Sequence, residues 1–223
     1  MPTALITGAG GGIGSAIAEA LAPTHTLLLA GRPSDGLDSV AERLGATTFP
    51  LDLTDTEEID AACEVVDELD VLVHSAGVSI PGHVAESDID EWRATFAVNV
   101  FGPVELTLTL LPALRSARGQ VVFINSGAGR TVSPGMASYS ASKFALRAFA
   151  DSLRDDEPDL RVTTIYPGRT DTAMQRELVA FEGGDYDPVN FLRPETVAAA
   201  VANAVATPSD GHVHEVVLRP RRR

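Results

Sequence analysis

Residues 7–14 read TGAGGGIG, five glycines in eight positions, and lead straight into IGSAIAEALA, residues 13–22, whose apolar spacing is helical. Each glycine costs roughly 0.5–1 kcal/mol of ordering entropy relative to alanine, so the cluster needs a local reason. The preceding TALIT reads as a short buried strand. A strand-to-helix turn without Cβ atoms lets backbone N–H groups approach a pyrophosphate, and the dipole and unpaired donors of the helix start favour its negative charge. The stretch therefore predicts an anion cradle after the first strand. It matches neither of two common cradles. Gly-x-Gly-x-x-Gly fails in every register, because the sixth residue is Ile13 counted from Gly8, Ser15 from Gly10 and Ile17 from Gly12. A Walker loop is excluded because no lysine lies nearby. The spacing here is Gly8-x-x-x-Gly12-x-Gly14.

The same rhythm continues outward from this point. Short runs rich in β-branched residues (THTLLLAG, TTFPLD, DVLVHSAG, QVVFINSG, RVTTIYPG and HVHEVVLR) recur, with helix-like stretches between most of them. Strands apolar on both faces, each followed by a helix, predict an α/β Rossmann fold. It is a doubly wound parallel sheet of about seven strands, with helices on both faces, forming one domain over residues 1–223. Ligands of such sheets bind beyond the carboxyl ends of the strands where strand order reverses, and the glycines stand there. The connection from Pro167 to Pro194 has no obvious strand and is expected to serve as a substrate loop over about 168–194.

Composition excludes several classes. Lys plus Arg total 17 against 31 Asp plus Glu, a net charge of −14 that disfavours nucleic acid and anionic lipid as partners. Arg219, Arg221, Arg222 and Arg223 read as a solvated terminus. No segment is expected to approach the ~18 apolar residues of a membrane span or to act as a signal peptide. The single cysteine, Cys63, forbids an intramolecular disulfide and suits a reducing cytoplasm. His212 and His214 share a face of the last strand while the other histidines are scattered, so no metal site is expected.

Distant residues complete the pattern. Thr7-Gly8-x-x-x-Gly12-Ile13-Gly14, Ser126, and Tyr139-Ser140-Ala141-Ser142-Lys143, placed 13 residues after that serine, together resemble the short-chain dehydrogenase/reductase family over about residues 3–206. Asp52 after the third strand, Asn99 in the long helix after the fourth and Pro167-Gly168 after the sixth extend the match. The resemblance implies an oxidoreductase that moves a hydride between a nicotinamide cofactor and a carbonyl or secondary alcohol. Tyr139 would be general acid and base, Ser126 would hold the substrate oxygen, and Lys143 and Asn99 would complete a proton path. It also implies cofactor contacts at Gly8, Gly12, Ile13 and Gly14, at Asp52 and Leu53, and at Ser75, Ala76 and Gly77. Further contacts fall at Tyr139, Lys143, Pro167, Gly168, Thr170 and Thr172. Pairing into a homodimer or homotetramer is implied through the helices carrying Asn99 and Tyr139.

The residue types suit that chemistry. Tyr139 and Lys143 are four apart on a predicted helix and share a face, so the ammonium is expected to favour the phenolate and bring it toward neutrality. Lys143 is the only lysine in the chain, against sixteen arginines. A compact ammonium can join a proton relay that a wide, permanently charged guanidinium cannot. Pro103 lies four residues after Asn99 and has no N–H, which predicts a helix bend with the Asn99 carbonyl left free. At the tip of the second strand, Gly31 stands where NAD-using relatives carry Asp, and Arg32 follows, so NADP(H) is expected rather than NAD.

Two departures are plain. His74-Ser75-Ala76-Gly77 replaces the family's Asn-Asn-Ala-Gly, with His74 expected to be structural, and Thr170 stands where an aliphatic residue is common. A serine hydrolase is excluded because Ile124-Asn125-Ser126-Gly127-Ala128 lacks the leading glycine of a nucleophile elbow. A non-catalytic NADP(H) sensor of the same fold is the alternative, and it would be expected to lack Tyr139 or Lys143. Met174, Leu178, Phe181, Tyr186 and Phe191, with Arg130, Val132 and Met136, predict a mostly apolar substrate pocket under a mobile lid.

Overall fold

The computed structural model describes residues 1–221; Arg222 and Arg223 of the expected solvated tail lie outside the described residues. The first half comprises β1 (Thr3–Thr7), α1 (Gly12–Leu21), β2 (Thr26–Gly31), α2 (Asp35–Leu44), β3 (Thr47–Pro50) and α3 (Thr56–Cys63). The second half opens with β4 (Val71–His74), α4 (Ile89–Phe96), a π-turn (Ala97–Phe101), α5 (Gly102–Ala117) and β5 (Gln120–Ile124). It continues with α6 (Ala137–Asp156), β6 (Arg161–Tyr166), α7 (Ala173–Phe181), α8 (Pro194–Val205) and β7 (Glu215–Val217). The helix starts follow local chemistry. Ser34 accepts from the Leu37 N–H at 3.3 Å, Asp55 accepts from Glu57 and Glu58, and Asp88 with Glu91 forms a capping box.

The seven strands pair in parallel in the order β3-β2-β1-β4-β5-β6-β7. From β1 the chain steps one way to β3, then returns and steps the other way from β4 to β7. The reversal therefore lies between β1 and β4, and the glycine turn opens there. Alternation along each strand builds two apolar layers. Ala4, Ile6, Val71, Val73, Val122 and Ile124 face a layer shared with Ile17 and Val201, while Leu5, Leu72, Val121 and Phe123 face one shared with Leu106, Leu110 and Leu146.

Two expectations change here. Ile89–Ala117 is one continuous helical stretch that is long and apolar enough to cross a membrane, with mean hydropathy 1.4, contrary to the expectation from sequence. Half of its apolar window is buried in the protein. Leu106, Leu110 and Leu114 are spent against the sheet, each contributing about 1.5–3 kcal/mol of burial. The last strand is also shorter than HVHEVVLR suggests. His212 and His214 precede it with rings 4.4 Å apart, and His212 Nε2 donates to the Val162 carbonyl at 3.0 Å. A chain end that crosses β6 at this point uses the imidazole as a backbone cap.

The glycine turn is decided by backbone contact. A Cβ on Gly14 would overlap the Gly8 carbonyl oxygen, well inside van der Waals contact, and stand 2.7 Å from its carbon, so α1 can pack on the turn only without a side chain there. Gly11 has extended φ of 178° and nothing within 4 Å of its Cβ position. Gly14→Ala is expected to lose about 3 kcal/mol of stability in urea unfolding, whereas Gly11→Ala should stay within about 0.5 kcal/mol. Equal effects would show that the turn relaxes.

Candidate active site

The crevice floor is stapled by one hydroxyl. Thr7 Oγ donates to the Val73 carbonyl at 3.4 Å and accepts from the N–H groups of Ser75 at 3.0 Å and Ala76 at 3.1 Å. That ties the end of β1 to the loop after β4. Gly8, with φ +67°, is the residue that lets the two loops touch, since its Cβ would lie 2.8 Å from Ala76 Cα. On the other side Thr172 Cγ2 comes 3.4 Å from the Cβ position of Gly12. The turn, Ser75-Ala76-Gly77 and the Pro167–Thr172 segment thus meet around one groove. Thr172 caps α7 by accepting from Gln175 N–H at 3.3 Å, and the Thr170 hydroxyl donates to the Gly168 carbonyl at 3.0 Å.

The groove suits an extended dinucleotide. Gly11 at its start and Gly31 at its far end both leave the Cβ position open, which gives backbone and ligand room to meet. Arg32 stands exposed beside Gly31. Asp52 sits nearby with its carboxyl held below the usual range, chiefly by the Thr54 N–H at 2.8 Å, then by the Thr54 hydroxyl at 2.7 Å and more weakly by Arg32. Leu53 and Ile13 turn their side chains into the apolar layers, so only their backbone is available to a ligand.

The proton-handling residues converge beyond the ends of β4 and β5. Pro103 lacks an N–H, and the bend expected before it is a π-turn in which Gly102 donates five residues back to Ala97. This turn buries Asn99. Its Oδ1 accepts from Val78 N–H at 2.8 Å, and its Nδ2 donates to the Val78 carbonyl at 2.9 Å and to Ser142 Oγ at 3.0 Å. Ser142 in turn donates to the Tyr139 carbonyl at 2.7 Å, so the turn and α6 are locked together. Lys143, 4% exposed, donates from Nζ to the Ile124 carbonyl at 3.1 Å and lies 5.7 Å from the Tyr139 ring centre. Gly77 has a second use here, because its Cβ would stand 3.2 Å from Asn99 Oδ1 and 3.6 Å from Lys143 Nζ. Ser126 accepts from Ala128 N–H at 3.1 Å at the head of a 3₁₀ turn, Gly127–Gly129, with its hydroxyl facing Tyr139.

Electrostatics overturn one expectation. Burial lowers the Lys143 pKa to about 8. The Tyr139 pKa is raised rather than lowered: burial pushes it up by more than the Ser126 hydroxyl pulls it down. Desolvation of the phenolate thus outweighs the hydrogen bond that would favour it. His74 is a packed core residue. Its ring stacks on Phe123 at 4.9 Å, and burial followed by the Lys143 charge drives its pKa to about 3. Because the Thr107 hydroxyl donates to the Pro103 carbonyl at 2.7 Å, it accepts from His74 Nε2 at 2.8 Å, which fixes the proton on that nitrogen.

Part of the expected substrate pocket lies elsewhere. Arg130 points to Glu215 at 2.7 Å and over the Tyr166 ring at 5.1 Å, away from Tyr139 and Lys143, because the edge strand β7 offers it a charge partner. Tyr186 and Phe191 pack on each other at 5.1 Å, and Met136 is buried. Phe181 does reach across, its ring 5.8 Å from that of His83 and against Gly135. An apolar hollow of about 630 Å³ opens beside α6 between Val84, Val132, Ala141 and Phe144. Three supporting residues were not singled out from sequence: Thr7 as a staple, Ser142, and Asn125. Asn125 donates to the Lys143 carbonyl at 3.0 Å and accepts from Ser126 N–H at 2.7 Å. A polar residue ending an otherwise apolar strand is the signal that marks Thr7 and Asn125.

The short chain dehydrogenase family profile matches residues 2–183. The chain belongs to this family. It is 36% identical to glycine betaine reductase ATRR of Emericella nidulans over 98% of its own length, but spans only 18% of that much longer protein. An uncharacterized oxidoreductase of Staphylococcus aureus is 32% identical, with 97% of this chain and 96% of that one covered. Among solved structures, an alcohol dehydrogenase from Thermococcus sibiricus complexed with 5-hydroxy-NADP superposes with a TM-score of 0.90 at 28% identity, covering 100% and 99% of the two chains.

The buried lysine generates a signed prediction. Its ordinary pKa of 10.5 falls to about 8 in the fold, so between those values the unfolded chain binds more protons and stability rises with pH. At or below pH 8 the full burial cost applies. Lys143→Met removes this term, so its stability advantage over the wild type should shrink by about 2 kcal/mol between pH 7 and pH 10 in paired urea titrations. A pH-independent difference would place the wild-type titration elsewhere.

Proposed function

We propose that this chain is an NADP-dependent oxidoreductase that interconverts a carbonyl compound and the corresponding secondary alcohol. The observation that carries the reading is the convergence of Ser126, Tyr139, Lys143 and Asn99 at the carboxyl ends of β4 and β5, beside the glycine groove. When bound, the reduced nicotinamide supplies the hydride. Gly8, Gly12 and Gly14 hold the pyrophosphate by backbone donors, Arg32 takes the 2′-phosphate, and Asp52 with Ser75 flanks the adenosine end. Pro167, Gly168, Thr170 and Thr172 border the nicotinamide end. Ser126 orients the substrate oxygen, and Tyr139, kept protonated by burial, donates its proton as the carbonyl carbon gains the hydride. Lys143 stabilises the resulting phenolate and returns a proton to it.

The alternative of a non-catalytic sensor is disfavoured because Tyr139 and Lys143, which such a protein would be expected to lack, are both present beside Ser126 and Asn99. Phe101, Leu108 and Phe144, exposed by 62%, 57% and 41% on the α4–α5 helical stretch and α6, support pairing of two copies through those helices. The single cysteine, Cys63, which permits no intramolecular disulfide, suits residence in a reducing cytoplasm.

Tyr139→Phe is expected to cut NADPH-dependent carbonyl reduction by at least about a hundredfold, the low end for loss of an acid, while NADPH still binds. Near-normal turnover in that variant would overturn the role. For the cofactor, the wild type should favour NADPH over NADH at least tenfold in kcat/KM, as a charge-assisted contact worth about 1.5–3 kcal/mol requires. Exchanging Gly31→Asp together with Arg32→Ala should reverse that order, since a carboxylate repels the phosphate and accepts the ribose hydroxyl. A ratio unchanged within about twofold would make Arg32 a solvated loop residue.

A further inference from the structure

The last described residues stay pinned to the fold through their backbone, although Arg219 and Arg221 are exposed as expected of a solvated terminus. Leu218 N–H donates to the Tyr166 carbonyl at 3.1 Å, and its carbonyl accepts from Gly168 N–H at 2.8 Å, which carries the β6–β7 ladder past the end of β7. Pro220 Cδ stands 2.8 Å from the Cβ position of Gly168, so a side chain there would unseat the tail. Arg219 is fixed between these two pins, exposed but held by its own hydrogen bonds. Its Nη1 donates to the carbonyls of Tyr166 at 3.2 Å and Leu218 at 2.9 Å, and its Nη2 lies 3.3 Å from the Cβ position of Gly127. Gly127 directly follows Ser126, about 3.8 Å away from Cα to Cα. A guanidinium is thereby placed at the rim of the crevice, one residue from the hydroxyl assigned to the substrate oxygen.

Its neighbours are neutralised and it is not. Arg130 has Glu215 at 2.7 Å, Arg147 has Asp151 and Glu215 at 3.7 Å, Arg169 has Glu182 at 2.7 Å and Arg176 has Asp171 at 3.2 Å. Among the described residues Arg219 has no carboxylate partner, and its Nε and Nη2 have no acceptor. Capping two carbonyls occupies a single nitrogen, Nη1. The remaining edge is a two-donor fork of the kind that matches a carboxylate. In a chain of net charge −14, Arg130, Arg147, Arg169 and Arg176 each find a carboxylate while the free edge of this backbone-anchored guanidinium does not, which suits a ligand that brings its own negative charge.

We propose that Arg219 binds the carboxylate of the substrate, which makes the substrate an oxo acid or its hydroxy acid. The carbonyl lies on Ser126 and Tyr139, and the carboxylate, up to two methylenes away, lies on the free edge of Arg219 and is unchanged by the reaction. The inference rests on the oxidoreductase reading and narrows it. The test separates the two by using binding in place of turnover. In the Tyr139→Phe enzyme saturated with NADPH, pyruvate, acetoacetate and levulinate are titrated by calorimetry beside their methyl esters. At least one acid should bind ten times more tightly than its ester. Arg219→Leu in the same background should remove about tenfold or more of that preference, and Arg219→Lys should restore part of it. Esters binding as well as every acid, or an acid-to-ester ratio untouched by Arg219→Leu, would overturn the proposal. Reduction of a wider set of aldehydes and ketones by the wild type is scored separately: no consumption of NADPH on any of them counts against the oxidoreductase reading and leaves the Arg219 result standing.

Discussion

A buried ammonium sets the terms for the catalytic end of this protein. Lys143 Nζ sits under the ends of β4 and β5 with the Ile124 carbonyl as its hydrogen-bond partner, and the surrounding residues are chosen to make that position possible. Gly77 gives up its side chain, Asn125 holds the Lys143 backbone, and the π-turn brings Asn99 onto Ser142 one residue away. The cost of desolvating the charge is borne by a sheet whose central strands are apolar on both faces and resist local opening. Rigidity in the core is thus what allows an unfavourable but useful group to be held at the surface of the crevice.

The segment after β6 is organised by charge more than by apolar packing. Arg169 reaches Glu182 and lies 5.3 Å over Phe191, while Asp171 takes both Arg176 and the Tyr186 hydroxyl. These ties fold α7 and the following loop back on the Pro167–Thr172 strap, which also touches the glycine turn through Thr172 and Gly12. Cofactor groove and substrate side therefore share one piece of chain. Exposed ion pairs of this kind contribute little individually, so the segment can be closed without being locked.

Much of this was legible from residue order. The alternation of apolar runs with helical stretches needs only local pattern, and it delivered seven parallel strands in a sheet that reverses beside the glycines. The spacing of Tyr139 and Lys143 likewise needs only helical geometry. Spatial neighbours far apart in the chain were harder. Arg130 was read as a pocket residue because it follows Ser126 closely, yet Glu215 on the far edge of the sheet captures it. Leu53 stands beside Asp52 in the chain, but the turn after β3 puts its side chain into the core. The apolar stretch Ile89–Ala117 looked unremarkable because its glycine, proline and asparagine interrupt the run, and only its continuity as a helix reveals its length.

The sequence by itself determined the architecture, the glycine turn after β1 and the four residues proposed to be catalytic, because hydrophobic period, glycine placement and residue spacing act over a few residues at a time. Tertiary structure alone decided the protonation balance and the outer contacts of the site. Whether Tyr139 titrates low or high depends on how much water the assembled walls exclude, and burial there exceeds the pull of the Ser126 hydroxyl. Whether Arg219 is a loose terminal charge or a fixed donor depends on a ladder that joins residue 218 to residues 166 and 168. Desolvation and long-range pairing are sums over many distant atoms, and no local stretch of sequence contains them.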